Sequence, residues 1–134
     1  MSSAPQRPEP ELTPRTTEYW RSGADGLLRI ARCQACGWYL HPPLPICPRC
    51  LDRDVRFEPV SGNGTVYSWT INRYPWVPSL PPPYVVATVA LVEQEGLHIT
   101  TSIIDCALDA LEIGMPVRVT FEPAGDAWIP LFRP

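Results

Sequence analysis

The sequence predicts a mainly β protein in which a short N-terminal helix and a cysteine-rich ribbon precede a small five-stranded barrel or sandwich. Two C-x2-C pairs lie close together in the first half of the chain. In the second half, segments rich in β-branched and aromatic residues alternate with turn signals. The 134 residues include 18 prolines and 8 glycines, which is too many for long helices and suits short strands and turns.

The N-terminal region is predicted to contain a leader and then a helix. Residues 1–12 are rich in Ser, Pro and Glu and contain almost nothing to bury, so we interpret them as a disordered leader or a linker. Thr13, followed by proline, has the pattern of a helix N-cap. The helix is expected to end near Gly23. Tyr19 and Trp20 are adjacent and cannot share one helix face fully, so at least one should cover a neighbouring module.

Strand segments are identified by period-two recurrence of Val, Ile, Thr and aromatic residues. A short strand at 27–32 leads into the cysteines. Five further strands are predicted after them, at 55–59, 64–72, 84–93, 97–104 and 116–122. The chain therefore divides into residues 13–54, which hold the helix and the ribbon, and residues 55–134, which hold the barrel.

Two connections between these strands have sequence features of their own. Residues 73–83, RYPWVPSLPPP, contain five prolines, which oppose sheet pairing and favour an extended, polyproline-like loop. Residues 105–111 are expected to form a helical turn, because Leu108 and Leu111 lie three positions apart.

Four of the five cysteines have the spacing of a metal site. Cys33 and Cys36 form one C-x2-C pair, and Cys47 and Cys50 form a second after a gap of ten residues. Two such pairs let four thiolates converge tetrahedrally on one Zn²⁺, at about 2.3 Å each. Two disulfides would need an oxidising compartment, and a redox C-x-x-C would occur once at a helix start. Four thiolates leave no open coordination position, so the predicted zinc is structural, although iron fits the same spacing.

No catalytic set is found in the sequence. There is no nucleophile elbow, phosphate loop or dinucleotide fingerprint. His41 lies between the cysteine pairs and is interpreted as a packing or surface residue, and His98 is interpreted as a strand-surface residue. Cys106 has no His or basic residue beside it, so a buried inert thiol is predicted. The chain is not expected to be an enzyme by itself.

The charge pattern argues against two classes of partner. The net charge is −3, and all 11 basic residues are arginines with no basic run, whereas nucleic-acid binders usually show a basic stripe. No apolar stretch approaches the length of a membrane span, and the N-terminus has no apolar signal core. A cytoplasmic protein that binds no membrane is expected.

The order of these features resembles a known family. The adjacent Tyr19 and Trp20, the C-x2-C-G and C-P-x-C pairs, SGNGTVYS at 61–68, PPYVVA at 82–87, IGMPV at 113–117 and the closing PLFRP resemble the zinc-ribbon and OB-fold family that accompanies thiolases. The resemblance covers about residues 14–134. It implies a rubredoxin-like zinc ribbon holding structural Zn²⁺, followed by a five-stranded OB-fold barrel.

The same resemblance implies a function. Members act as non-catalytic partner subunits of thiolase-like acyl-CoA enzymes, in a hetero-oligomer that handles acyl-CoA through the partner. The chain is similar to the OB-fold domain of steroid enoyl-CoA hydratases, which pairs with a thiolase-like aldolase, a lyase, in steroid side-chain degradation. We therefore expect an accessory subunit of such a complex.

The proline-rich loop and the helix supply candidate contact residues. Prolines limit the entropy that a loop loses on docking, and rigid aromatic side chains dominate interface energies. Trp76 has a second interpretation, in which it closes the open end of the barrel as a core residue. Six side chains are predicted to contact the partner or its acyl-CoA: Arg73, Tyr74, Trp76 and Tyr84 in and beside the loop, and Tyr19 and Trp20 on the helix.

A single-stranded nucleic-acid-binding module is the alternative function. Zinc ribbons and OB barrels often bind nucleic acid, and Trp69, Tyr74, Trp76 and Tyr84 could stack on bases. The absence of lysine and the net acidity argue against this alternative.

Overall fold

The computed structural model describes residues 7–134. Within this range the chain forms one α-helix, two 3-10 turns and eight strands. No helix in the described range is long and apolar enough to cross a bilayer. In chain order the elements are α1 Thr17–Trp20, the 3-10 turn Ser22–Ala24, β1 Arg29–Cys33, β2 Tyr39–Leu40, β3 Val55–Pro59, β4 Asn63–Asn72, β5 Tyr84–Leu91, β6 His98–Thr101, the 3-10 turn Leu108–Ala110, β7 Pro116–Ala124 and β8 Ala127–Arg133.

The N-terminal helix is shorter than predicted. The Thr13 carbonyl accepts a hydrogen bond from the Thr16 N–H at 3.0 Å, and the Thr13 hydroxyl lies 3.2 Å from the same nitrogen, so the chain turns where expected. The regular helix then lasts one turn before the chain tightens into the first 3-10 turn. Gly23 in that turn lies so close to Phe121 that a Cβ there would be 2.6 Å from the ring. The helical segment therefore ends where its backbone meets β7.

The ribbon forms a three-stranded antiparallel sheet in the order β2-β1-β3. Its register runs from Arg29 opposite Pro59 to Cys33 opposite Val55. The expectation that residues 55–59 would be the first strand of the barrel is therefore wrong, because β3 pairs along its whole length with β1. Half-buried and exposed residues follow one another along β3 without a clean alternation, so the strand lacks the one-sided burial typical of a barrel strand.

The barrel is a second sheet of five strands in the order β6-β5-β4-β7-β8. The strands predicted at 64–72, 84–93, 97–104 and 116–122 correspond to β4 to β7, with ends that differ by at most three residues. The fifth strand, β8, was not predicted. It nearly closes the barrel, because the Phe132 N–H donates to the Ser102 carbonyl at 3.1 Å and the Ile104 N–H donates to the Phe132 carbonyl at 2.8 Å. The predicted mainly β fold with a zinc-ribbon region and an OB-type barrel is confirmed.

One hydrophobic core serves both sheets. Along β5, every second residue from Val85 to Leu91 is buried, which places one face of the strand inside the barrel. Residues of the helix and ribbon join the same cluster, so the ribbon packs on the barrel as part of one folding unit. The cluster includes Tyr19, Leu28, Ile30, Val66, Val89, Ile99 and Phe132.

A pair of hydrogen bonds joins the ribbon to the barrel. Gln94 lies in the turn between β5 and β6, and its Oε1 accepts from the Tyr39 backbone N–H at 2.8 Å. Its Nε2 donates to the Tyr39 carbonyl at 3.1 Å. Tyr39 lies on β2, the edge strand of the ribbon sheet, so one side chain satisfies both backbone groups that a neighbouring strand would otherwise satisfy.

The predicted disordered leader, residues 1–12, lies partly outside the described residues. Residues 7–12 contain no helix or strand, but they contact the β7–β8 hairpin. Arg7 forms an ion pair with Glu122 at 3.1 Å, and Glu9 lies against Gly125.

Removing the Gln94 side chain is expected to loosen the ribbon from the barrel. Gln94→Ala leaves the part-buried Tyr39 N–H and carbonyl without partners, so the free energy of unfolding should fall by roughly 1–3 kcal/mol. Gln94→Glu keeps the acceptor oxygen but loses the amide donor. Its free energy of unfolding should therefore lie between those of Gln94→Ala and wild type. Chemical denaturation measures the loss, with Glu95→Ala, an exposed neighbour, as the control. Equal stabilities for Gln94→Ala and Glu95→Ala would contradict the inferred role of Gln94.

Candidate metal centre

The structure brings the four predicted cysteines together. The Sγ atoms of Cys33 and Cys50 lie 3.5 Å apart, and those of Cys36 and Cys47 lie 3.6 Å apart. All four sulfurs lie within 4.8 Å of one another, and none is in a disulfide. Four thiolates about 2.3 Å from a central ion would be about 3.8 Å apart at the corners of a tetrahedron. The observed arrangement therefore fits one four-coordinate metal ion.

The two C-x2-C turns have the same backbone design. The Cys33 carbonyl accepts from the Gly37 N–H at 2.9 Å, and the Cys47 carbonyl accepts from the Leu51 N–H at the same distance. In each turn the first cysteine's N–H also donates to the carbonyl five residues on. Gly37 and Leu51 both have positive φ, at 81° and 67°. Glycine adopts this left-handed conformation readily at position 37, whereas its counterpart is a leucine, which the cysteine spacing did not reveal.

The electrostatics of the four thiols favour a bound cation. Burial raises the pKa of the Cys47 thiol, but hydrogen bonds from the backbone N–H groups of Cys50 and Arg49, together with the neighbouring thiols, outweigh it and lower the pKa to about 7. At Cys50 a backbone hydrogen bond from Asp52 lowers the pKa, but the neighbouring thiols and burial raise it to about 12. Four thiolates this close repel one another, so all four ionise together only around a positive ion.

The remaining titratable candidates lie outside the cluster. His41 packs against Tyr19, with ring centroids 4.8 Å apart, and burial lowers the pKa of His41 to about 4. It is a packing residue, as predicted. His98 lies on β6 and stacks on Tyr67 with centroids 4.4 Å apart. Cys106 is half-buried, and its thiol donates only to the adjacent Ala107 carbonyl, at 3.4 Å.

The tip of the proline-rich loop is exposed and internally ordered. The side chains of Tyr74 and Trp76 are 60% and 69% exposed, and their ring centroids lie 4.5 Å apart. Trp76 Nε1 donates to Asn72 Oδ1 at 2.9 Å, and Asn72 Nδ2 donates to the Tyr74 carbonyl at 2.7 Å. Arg73 is exposed beside them. The interpretation of Trp76 as a core residue is therefore wrong.

The other three predicted contact residues are more buried than this tip. Tyr19 is 5% exposed in the common core, where burial raises the pKa of its phenol well above the usual range. Trp20 packs edge-on against Tyr19, with centroids 4.9 Å apart. Trp20 and Tyr84 are half-buried and line one small cavity of about 230 Å³ with Arg7. The six predicted residues thus form an exposed group, a shallow cavity and one core position.

Two domain families match consecutive parts of the chain. The rubredoxin-like zinc ribbon domain of ChsH2 matches residues 20–56, and the C-terminal OB-fold domain of ChsH2 matches residues 57–122. The boundary between these two matches lies close to the predicted boundary at residue 54.

Three curated proteins illustrate the similarity. The probable enoyl-CoA hydratase alpha subunit of Thermomonospora curvata is 36% identical over 129 residues, which is 96% of this chain and 40% of that protein. The 3-oxo-4,17-pregnadiene-20-carboxyl-CoA hydratase alpha subunit of Mycobacterium tuberculosis is 32% identical over 139 residues, 96% of this chain and 44% of that protein. A DUF35 domain-containing scaffold protein of Methanocaldococcus jannaschii is 38% identical over 93 residues, 67% of this chain and 64% of that protein. The chain therefore spans less than half of each hydratase subunit.

A solved structure matches almost the whole chain. A chain of the Ltp2-ChsH2(DUF35) aldolase superimposes with a TM-score of 0.84 and 35% sequence identity. The match covers 94% of this chain and 98% of that one.

Metal content tests the cysteine site directly. We expect about one tightly bound metal ion per chain, because four convergent thiolates hold a divalent ion strongly. Cys36→Ser should lose stoichiometric metal and unfold the ribbon. Cys106→Ser should retain the metal and the folded ribbon. Elemental analysis and circular dichroism measure the two effects. Freshly purified wild-type protein without stoichiometric metal would contradict the assignment.

The leucine at the second turn is expected to be replaceable with a gain in stability. Leu51 is 73% exposed and has φ 67°, a region that costs an L-residue about 1 kcal/mol. Leu51→Gly should therefore raise the free energy of unfolding by up to about 1 kcal/mol. Leu27→Gly is the control, since Leu27 is also exposed and lacks positive φ. Thermal melts that rank Leu51→Gly below wild type would contradict this prediction.

Proposed function

Because the chain belongs to the family of ChsH2 zinc-ribbon and OB-fold domains, we propose that it is a non-catalytic partner subunit of a thiolase-like acyl-CoA enzyme. One observation carries the proposal: the match to a chain of the Ltp2-ChsH2(DUF35) aldolase covers 98% of that chain. Relatives named as CoA hydratase subunits and as a scaffold protein support an assembly role with CoA thioesters. A steroid CoA thioester is the proposed substrate of the complex, after the relative named for a pregnadiene-carboxyl-CoA.

The side-chain arrangement supports a role without catalysis. Among the described residues, His41 is enclosed against Tyr19, and His98 stacks on Tyr67. Within residues 7–134, no imidazole or carboxylate is hydrogen-bonded to the Cys106 thiol, which donates to the Ala107 carbonyl. The metal-binding cluster offers four sulfur ligands and so leaves no coordination position for a substrate.

We further propose that the metal is structural Zn²⁺. Four sulfur ligands in tetrahedral arrangement suit Zn²⁺, and the matching family is a zinc ribbon. Iron in the same site would give visible absorption, whereas zinc gives none, so an optical spectrum of the purified protein separates the two metals.

The exposed loop tip is the proposed contact with the partner. Tyr74 and Trp76 present stacked rings to solvent, and the hydrogen bonds to Asn72 hold them in place before any partner arrives. Preorganised aromatic side chains lose little conformational entropy on binding. Arg73 adds a planar guanidinium suited to a carboxylate or phosphate.

The nucleic-acid alternative has little support in the structure. Of the four aromatic residues that could stack on bases, Trp69 packs against the core and Tyr84 is half-buried. Five of the 11 arginines form ion pairs with acidic side chains, and of the other six only Arg73 lies in the loop at 73–83. A gel shift at low salt should therefore show no complex.

Joint activity tests the proposed function. The chain and its thiolase-like partner should co-purify as a hetero-oligomer, and only the complex should cleave the carbon–carbon bond of an aldol CoA thioester. Turnover by the isolated chain at rates typical of enzymes would show that the non-catalytic assignment is wrong.

Truncating Trp76 should separate partner binding from stability. Because its side chain is 69% exposed, Trp76→Ala should change the free energy of unfolding by no more than about 0.5 kcal/mol. The same change should weaken partner affinity by about 2 kcal/mol, or roughly thirtyfold. Thermal unfolding and isothermal titration with the partner measure the two effects.

Ile113→Ala is the matched control for this experiment, since Ile113 is 66% exposed on a different loop. It should leave both stability and affinity close to wild type. If Trp76→Ala and Ile113→Ala bound the partner equally well, the loop tip would not be the contact surface.

A further inference from the structure

The two cysteine turns of the metal centre touch each other through a pair of side chains. The Arg49 guanidinium lies over the Trp38 ring, with its Cζ 4.5 Å from the ring centroid. Trp38 follows the first turn, two residues after Cys36, and Arg49 lies in the second turn, directly before Cys50. The contact therefore joins the two halves of the metal centre to each other directly.

Backbone contacts fix the same two residues to the sulfur cluster. The Trp38 N–H donates to the Cys36 sulfur, and the Trp38 carbonyl accepts from the Cys33 N–H at 2.9 Å. The Arg49 N–H donates to the Cys47 sulfur. Each residue of the pair is thus held to its own turn by its main chain, so the contact between their side chains opposes separation of the turns.

The surroundings of the pair favour this contact. Arg49 is exposed, and it forms no ion pair with a carboxylate within residues 7–134. Trp38 is half-buried, and together with Pro48 of the second turn it lines a cavity of about 220 Å³ between the ribbon and the barrel. Among aromatic side chains, the indole ring attracts a cation over its face most strongly. The Trp38 ring is therefore the favoured neighbour of this guanidinium.

Half of the sulfur cluster is open to solvent. Cys33 and Cys47 are buried, whereas Cys36 and Cys50 are exposed. Each turn thus supplies one buried and one exposed sulfur, and a reagent from solution reaches one sulfur of each turn. A metal ion bound by two sulfurs from each turn leaves by losing the ligands of one turn, which requires the turns to separate. Contacts that oppose this separation slow the release of the metal.

We propose that Trp38 and Arg49 form a clasp between the cysteine turns and set the rate at which the centre exchanges its metal. The clasp positions the turns and supplies no ligand. This inference rests on the proposed metal, because the clasp acts by retaining a bound ion. Trp38 also precedes Tyr39, which Gln94 holds against the barrel, so the clasp lies between the exposed part of the centre and the ribbon–barrel junction.

Metal release from the zinc-loaded full chain tests the clasp. The probe is phenanthroline, an uncharged chelator whose approach does not depend on the charge at position 49. Arg49→Gln and Trp38→Leu should each release zinc about threefold faster than wild type, the factor expected for the loss of one cation–π contact. Arg49→Lys keeps a cation and should lie between Arg49→Gln and wild type. Arg53→Gln is the control, since Arg53 is exposed near the second turn and has no ion pair in the described range.

A double variant separates the clasp from independent effects of the two residues. Because both single changes remove the same contact, Arg49→Gln with Trp38→Leu should release zinc no faster than the faster single variant. With Co²⁺ in place of zinc, Arg49→Gln and wild type should show the same visible absorption bands, since the four sulfur ligands are unchanged.

Four results would overturn the inference. They are equal release rates for Arg49→Gln and wild type, equal acceleration by Arg49→Gln and Arg53→Gln, multiplication of the single effects in the double variant, and altered Co²⁺ bands in Arg49→Gln. If Trp38→Leu did not fold, Arg49→Gln measured against Arg49→Lys and Arg53→Gln would still decide.

Elemental analysis before the chelator is added keeps this inference separate from the proposed metal. A chain purified without metal would refute the proposed zinc. A loaded chain whose release rate does not depend on position 49 would refute the clasp alone.

Discussion

The convergence of four sulfur atoms is the constraint on which the ribbon depends. β2 has only two residues, and the 21 residues between β1 and β3 contain little else that could hold them in place. Cys33 is the last residue of β1 and pairs with Val55, the first residue of β3, so the metal site closes the sheet at this end. At the other end of β1, Leu28 and Ile30 enter the barrel's core. The cysteine cluster and the barrel core therefore lie at opposite ends of the same strand pair.

In addition to the common core, a short series of polar contacts joins the ribbon to the barrel. Gln94 binds both backbone groups of Tyr39, and Arg32 stacks on the Tyr39 ring at 4.6 Å while its Nε donates to the Gly37 carbonyl at 2.9 Å. Arg32 thus links the first cysteine turn to the residue that Gln94 holds. These contacts connect the first cysteine turn to the turn between β5 and β6 of the barrel.

Local patterns in the sequence predicted the local features of the fold, and non-local pairings were missed. The cysteine spacing and the alternation along β5 follow from neighbours in the chain. The pairing of β3 with β1 is set by a register across 21 intervening residues, which no local pattern contains. β8 was missed because Pro130 interrupts its strand pattern, although the barrel tolerates a proline on this late strand opposite Phe121. Gln94 was missed because a glutamine in a turn gives no sign of its partner.

The loop at 73–83 shows how far sequence composition can predict a site. Its prolines and aromatic residues predicted a rigid loop, but they did not distinguish an exposed Trp76 from a buried one. The structure does, because the buried Leu80 anchors the loop to the protein while Asn72 fixes the stacked rings at its tip. The two rings stack on each other while most of their surface stays exposed, and the proposed partner contact rests on that arrangement. The composition therefore predicted an aromatic, proline-rich loop, and the hydrogen bonds at the base of its tip define the shape of that tip.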